Sequence, residues 1–137
     1  VRRFLCEHPL ILTGISLVAV NDHLLKQSVL AGAVTGKLSD FAGLFFFPFL
    51  LLDLLSLLRR NWQDSIAVCL GAAAFTGFAF VALKCSPAAL ELYRGLYGLL
   101  DLRVSVVRDL TDLSALIMLP LAVSFHRHLR GRSHAIP

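Results

Sequence analysis

Four acids and four bases in this chain have the types and spacing to do chemistry together: Asp22, Asp40, Asp109 and Asp112 against Lys26, Lys37, Lys84 and Arg108. Asp22 and Lys26 stand four apart, which places them on one helical face where each can offset part of the other's burial cost. Ser105, Arg108, Asp109 and Asp112 recur at helical spacing and predict a second polar stripe. Lys37 and Asp40 belong to the polar stretch 34–44, which runs straight into Phe45-Phe46-Phe47-Pro48-Phe49. Close carboxylates can split their pKa values and divide the roles of acid and base. In an apolar setting they can also bind a cation or relay protons, while a Gly36-Lys37 turn can offer backbone groups to an anion.

The elements that must position these groups are hydrophobic. The chain has 137 residues, of which 57% are hydrophobic and 16% charged, with a mean hydropathy of +0.75. Soluble domains average about 45–50% apolar and about 25% charged, so composition predicts an all-α, polytopic membrane protein. The length accommodates a single helical domain over 1–137.

Four spans are expected, at about 9–29, 41–58, 65–83 and 104–125, since about 20 apolar residues cross a bilayer. Residues 31–40 read as the first connection, with Gly32 and Gly36 permitting a tight backbone. Pro48 would bend or loosen the second span. In the third, Gly71, Ala72, Ala73, Ala74 and Gly77 make a smooth side for another helix to approach. Residues 88–102 read as an amphipathic surface helix before the fourth span, with Glu91, Arg94 and Asp101 on one side. The tail 126–137 is basic and expected to fray at its end. The first apolar run follows Arg2, Arg3, Glu7 and His8 without a small-residue cleavage pattern, so it is read as a retained helix.

Four spans put both termini on one side. Arg2 and Arg3, Arg59 and Arg60, and Arg127, Arg130 and Arg132 all fall there, and the positive-inside rule makes that side cytoplasmic, in a cell membrane of bacterial inner-membrane type. The orientation gathers the polar groups. Asn21, Asp22 and Lys26, then Lys37 and Asp40, then Lys84, then Arg108, Asp109 and Asp112 all come to the outer end of the bundle. A charge near the bilayer centre costs about 2.5–3.5 kcal/mol on insertion scales, so such groups should face inward and pair. If they share one site, the carboxyls of Asp40 and Asp112 must lie closer than about 12 Å.

Three functions fit these residues. The cluster can be a structural ion-pair network that fixes helix register. It can be a binding or translocation site for an ion or small polar solute, built from Asn21, Asp22, Lys26, Lys37, Asp40, Lys84, Arg108, Asp109 and Asp112. It can be a membrane-embedded, aspartate-based hydrolase or transferase of the outer leaflet, with Asp22, Asp109 and Asp112 as candidate catalytic groups; the sequence leans away from an enzyme. Asp22-His23-Leu24-Leu25-Lys26 resembles the D-x-x-x-K of the first helix in lipoprotein signal peptidase, an aspartic protease of that leaflet. The resemblance covers five residues, and that family's Asn- and Gly-rich motif and F-N-x-A-D segment are absent, so it assigns no catalytic role.

Other polar residues read as structural. Asp53, alone in the second span, is expected to be a satisfied polar residue, bonded to a Ser or Thr, rather than a proton carrier. His126, His128 and His134 read as a solvated flank, and His23 has lysine at i+4 where a second ligand would stand, so no metal site is expected. Cys6, Cys69 and Cys85 lack a C-x-x-C spacing and read as small packing residues. No sequence fingerprint for a nucleotide or other cofactor is present. The expected partners are the lipid bilayer and either further copies of this chain or a larger membrane complex, the latter making it a structural subunit; the arginine excess lies in short flanks and is not read as a nucleic-acid surface.

Overall fold

The computed structural model describes residues 4–21, 33–99 and 109–133, and every regular element among them is helical. Five α-helices form the frame: α1 Pro9–Val20, α2 Ala33–Leu58, α3 Ile66–Cys85, α4 Pro87–Gly98 and α5 Met118–Ser133. Short 3₁₀ turns precede α1 at Leu5–Glu7 and α3 at Arg60–Trp62, and a longer 3₁₀ segment, Leu110–Ile117, leads directly into α5.

Local sequence sets the helix ends. His8 caps α1 by accepting the Leu10 amide at Nδ1, and Pro9 takes the first helical position, where a missing N–H costs nothing. Ser65 caps α3 by accepting the Val68 amide. At the far end of α3, one residue serves two helices. The Ser86 amide donates to Ala82, its hydroxyl accepts from the Ala89 amide, and Pro87 prevents α3 from continuing.

α2 is the axis of the bundle and touches α1, α3 and α5. Its core contribution is Phe49 and Leu52, which meet Ile11, Cys69, Ala72 and Ala122. Phe125 of α5 packs against Phe45 and Phe49, with ring centroids 5.9 and 6.0 Å apart. The smooth side expected on α3 divides in two. Cys69, Ala72, Ala73, Thr76 and Gly77 recur at i, i+3, i+4, i+7 and i+8 and are buried, whereas Gly71 and Ala74 face outward. A Cβ placed on Gly77 would lie 2.7 Å from Leu119 Cδ1, so α3 and α5 approach closely at this point.

Two helices are long and apolar enough to cross a membrane: Gly36–Leu58, 23 residues with mean hydropathy 2.2, and Ile66–Cys85, 20 residues with 2.3. They correspond to the second and third expected spans. α1 is described for only 12 apolar residues, and residues 22–29 of the first expected span lie outside the described residues. The fourth segment begins as 3₁₀ helix at Leu110 and carries its basic residues at the other end; residues 104–108 lie outside the described residues. The segment expected to lie on the membrane surface is helical as α4, with Glu91 and Arg94 paired at 3.2 Å on its exposed side; residues 100–102 are outside the described part.

Two expectations fail. Residues 33–40 are the first two turns of α2, not a connecting loop. Two polar residues there, Ser39 and Asp40, are half-buried and bond Asn21 and Lys84 across the bundle. α2 is a single helical element through Pro48. The histidine-bearing flank is not solvated at its start: α5 continues to Ser133 and its His126 is fully buried, with Nε2 2.9 Å from the Gln63 carbonyl. Residues 134–137, the tail's end, lie outside the described residues.

Candidate functional site

Lys84 occupies the centre of the polar cluster. It sits seven residues beyond Gly77, two turns further along the buried stripe of α3, so its side chain enters the bundle rather than snorkelling outward. Its Nζ lies 2.8 Å from Asp40 Oδ2 and 2.5 Å from Asp112 Oδ2. One ammonium therefore joins α2, α3 and the 3₁₀ segment before α5. The two carboxylates both reach a single nitrogen, so they lie far inside the 12 Å limit of a shared site. Lys84 Nζ also stands 5.4 Å from the centre of the Phe80 ring, which gives the ammonium a cation–π neighbour.

Asp112 is delivered by the 3₁₀ geometry. With about three residues per turn, residues 112 and 115 eclipse on one face, and both Asp112 and Ala115 are buried. Asp109 does not join them. Its backbone is extended, and its Oδ1 accepts the Thr111 amide at 2.9 Å, so it caps the segment at the surface. The expected stripe of Asp109 with Asp112 is thus broken: a cap residue stands outside the helix that it starts. Asp40, not Asp109, is the second carboxylate at the Lys84 ammonium.

Asn21 is fully buried where α1 ends, and its Nδ2 donates to Ser39 Oγ at 2.5 Å. Ser39, next to Asp40 on α2, ties the first helix to the same end of the bundle. It is not among the expected site residues: the sequence reads 31–40 as a connection, where an uncharged serine carries no signal of a buried contact. Lys37 is half-buried one turn outward from Asp40. Asp22, Lys26 and Arg108 lie outside the described residues.

The triad borders a cleft. An opening of about 590 Å³ lies between α2, α3 and α4, with Ser39 and Asp40 on its wall at one end. From there Gly43 and Phe47 of α2 and Leu83, Phe80, Thr76 and Phe75 of α3 continue it down the bundle. Leu92 and Leu96 of α4 overhang the opening. Its volume falls in the range of about 300–1,000 Å³ usual for small-molecule sites. The lining is almost wholly apolar apart from its polar end.

A second polar cluster occupies the opposite end. Asp53 accepts the Leu5 amide at 2.9 Å, the Cys6 amide at 2.8 Å and Gln63 Nε2 at 2.9 Å. It is a satisfied polar residue, as expected, but main-chain amides and a glutamine satisfy it rather than a hydroxyl. Ser56 Oγ instead donates to the Asp53 carbonyl oxygen. This aspartate latches the N-terminal turn onto α2.

Burial, with the adjacent Asp53 carboxylate, pushes the Cys6 thiol up from the usual 9 to about 12. The folded state therefore holds a proton that an unfolded chain sheds above pH 9, and this contribution to stability falls as pH rises from 9 toward 12. In a Cys69→Ala/Cys85→Ala background, maleimide should label folded Cys6 slowly at pH 8. Asp53→Ala should speed labelling about tenfold or more by releasing the turn and lowering the thiol pKa. Equal rates in the two proteins would show that Asp53 does not hold the turn.

Among the described residues no group of three or more His, Cys, Asp or Glu is placed to hold a metal ion. No family model, no curated protein and no solved structure matches this chain.

Proposed function

We propose that the protein is a four-span membrane protein with both termini cytoplasmic, and that its outer-end cluster is a binding site for an amphiphilic component of the bilayer. The observation that carries this reading is the position of the cleft. It starts at Asp40, beside Lys84, and descends along the two helices that are long enough to span a membrane.

Membrane insertion is supported by the outward faces of those helices. Only 39% and 28% of their apolar windows are buried, and Leu54, Leu58, Phe75 and Phe78 are each more than half exposed. Apolar patches of this extent have no place against water. The same triad also supports a purely structural role, since Lys84 bonds both acids. The cleft is what favours binding.

Topology and binding have separate tests. With the native cysteines replaced, Leu99→Cys should react with an impermeant maleimide in intact cells, whereas Ser133→Cys should react only after lysis. The opposite pattern would overturn the orientation. For binding, Gly43→Phe should fill the cleft without touching the triad, because a Cβ at Gly43 meets nothing within 4 Å. Purified wild-type protein should carry co-purifying lipid that the variant lacks; equal lipid in both would leave only the structural role.

A further inference from the structure

The triad and the cleft together specify one kind of ligand. We propose that the cleft takes an acyl chain of a phospholipid with a primary-amine headgroup, drawn from the outer leaflet, and that the ammonium of that headgroup binds Asp40. This rests on the reading of the cleft as a ligand site in the bilayer.

Depth is the first argument. Asp40 lies four residues inside the start of the Gly36–Leu58 span and Lys84 one residue from the end of Ile66–Cys85. At about 1.5 Å per residue both sit within roughly 6 Å of the ends of those two apolar spans, a depth suited to headgroups, with α2 itself extending three residues further to Ala33. From Leu83 to Phe75 the cleft then follows α3 for about 12 Å toward the bilayer centre. A site with its polar end at headgroup depth and an apolar groove below it has the shape of one lipid chain.

Charge is the second argument. Among the described residues two carboxylates share one ammonium, and a carboxylate in an apolar setting needs hydrogen-bond donors. Asp112 is closed off, but the Asp40 side chain keeps 22% of its surface exposed, and Asp40 lines the cleft. A carboxylate offers about four acceptor sites, and Lys84 bonds only Oδ2. A cation with N–H donors is therefore the complementary headgroup.

The third argument is the cover. α4 is short and amphipathic, with Leu90 buried and Leu92 and Leu96 exposed over the opening. Its apolar side is thus only partly used by the bundle, and a bound chain would complete it.

Native mass spectrometry of the full chain in detergent, titrated with phosphatidylethanolamine, phosphatidylcholine and phosphatidylglycerol of identical acyl chains, tests the inference. Phosphatidylcholine carries the same charge without N–H donors. Phosphatidylethanolamine should be retained about tenfold better than either competitor, the scale of one charge-assisted hydrogen bond. Asp40→Asn should bring it down to the phosphatidylcholine level, and Gly43→Phe should remove all three lipids. Equal retention of the three lipids by wild-type protein, all lost in Gly43→Phe, would overturn the headgroup assignment while leaving the cleft a lipid site. Retention unaffected by Gly43→Phe would overturn the cleft site itself. The comparison of headgroups on wild-type protein decides the matter even if Asp40→Asn does not fold.

Discussion

Replacing Lys84 by methionine is expected to destabilise the bundle by about 3–5 kcal/mol, the usual consequence of removing one partner from a buried ion pair. Methionine fills much of the same volume, so the loss comes from charge and not from a cavity. The variant leaves Asp40 and Asp112 close together without their shared counter-ion. Denaturant or thermal unfolding in detergent measures the loss. Adding Asp112→Asn to Lys84→Met should recover a large part of it, because only one of the two carboxylates then needs a partner. If Lys84→Met proves too unstable to purify, the double variant should still be obtained from the membrane. A single variant as stable as wild type would mean that the triad is solvated and holds nothing together. The pair of variants also separates the two roles of the cluster. The double variant keeps Asp40 and the cleft lining, so once stable it should still retain phosphatidylethanolamine; a stable double variant without lipid would overturn the assignment of the headgroup to Asp40.

Gly77→Leu is expected to cost about 1–3 kcal/mol through overpacking. The Cβ alone would approach Leu119 Cδ1 to 2.7 Å, and Leu116 Cδ2 lies 3.7 Å away on the same side. Leu119 is the flexible end of a side chain, so Gly77→Ala should cost less than Gly77→Leu. Gly71→Leu, where a Cβ meets nothing within 4 Å, should leave the unfolding midpoint unchanged. The consequence extends beyond packing. Lys84 lies seven residues further along α3, about 10 Å away at the helical rise, so pushing α3 from α5 at Gly77 also draws Lys84 from Asp112. Gly77→Leu should therefore weaken lipid retention as well as stability. Equal stability of the Gly71 and Gly77 variants would show that α3 and α5 do not meet there.

Much of the site was legible along each helix, and its selection was not. The small-residue stripe of α3 points to Lys84, since Cys69, Ala72 or Ala73, Thr76 and Gly77 lead to residue 84 by steps of three, four and seven. Asp40 and Asp112 were rightly expected together. Asp109 was grouped with Asp112 because helical spacing was assumed through both, yet the chain enters its 3₁₀ segment only after Asp109. Ser39 gave no signal of its own. His126 continues the buried face marked by Ala122, four residues earlier, but the arginines around it gave the segment the composition of a solvated tail.

The amino-acid sequence by itself determined the all-helical class, the second and third apolar helices, the short amphipathic helix after them, and the presence of charge at one end of an apolar bundle. Hydropathy and caps are local properties, and they act on each helix before it meets another. The tertiary structure decided which charges meet. Pairing depends on how each helix is rotated about its axis. Here that rotation is set by the close contact at Gly77, by the switch from 3₁₀ to α before Met118, and by the Asp53 latch at the other end. Those contacts join residues far apart in the chain, so only the packed bundle brings Lys84 between Asp40 and Asp112 at the head of a cleft.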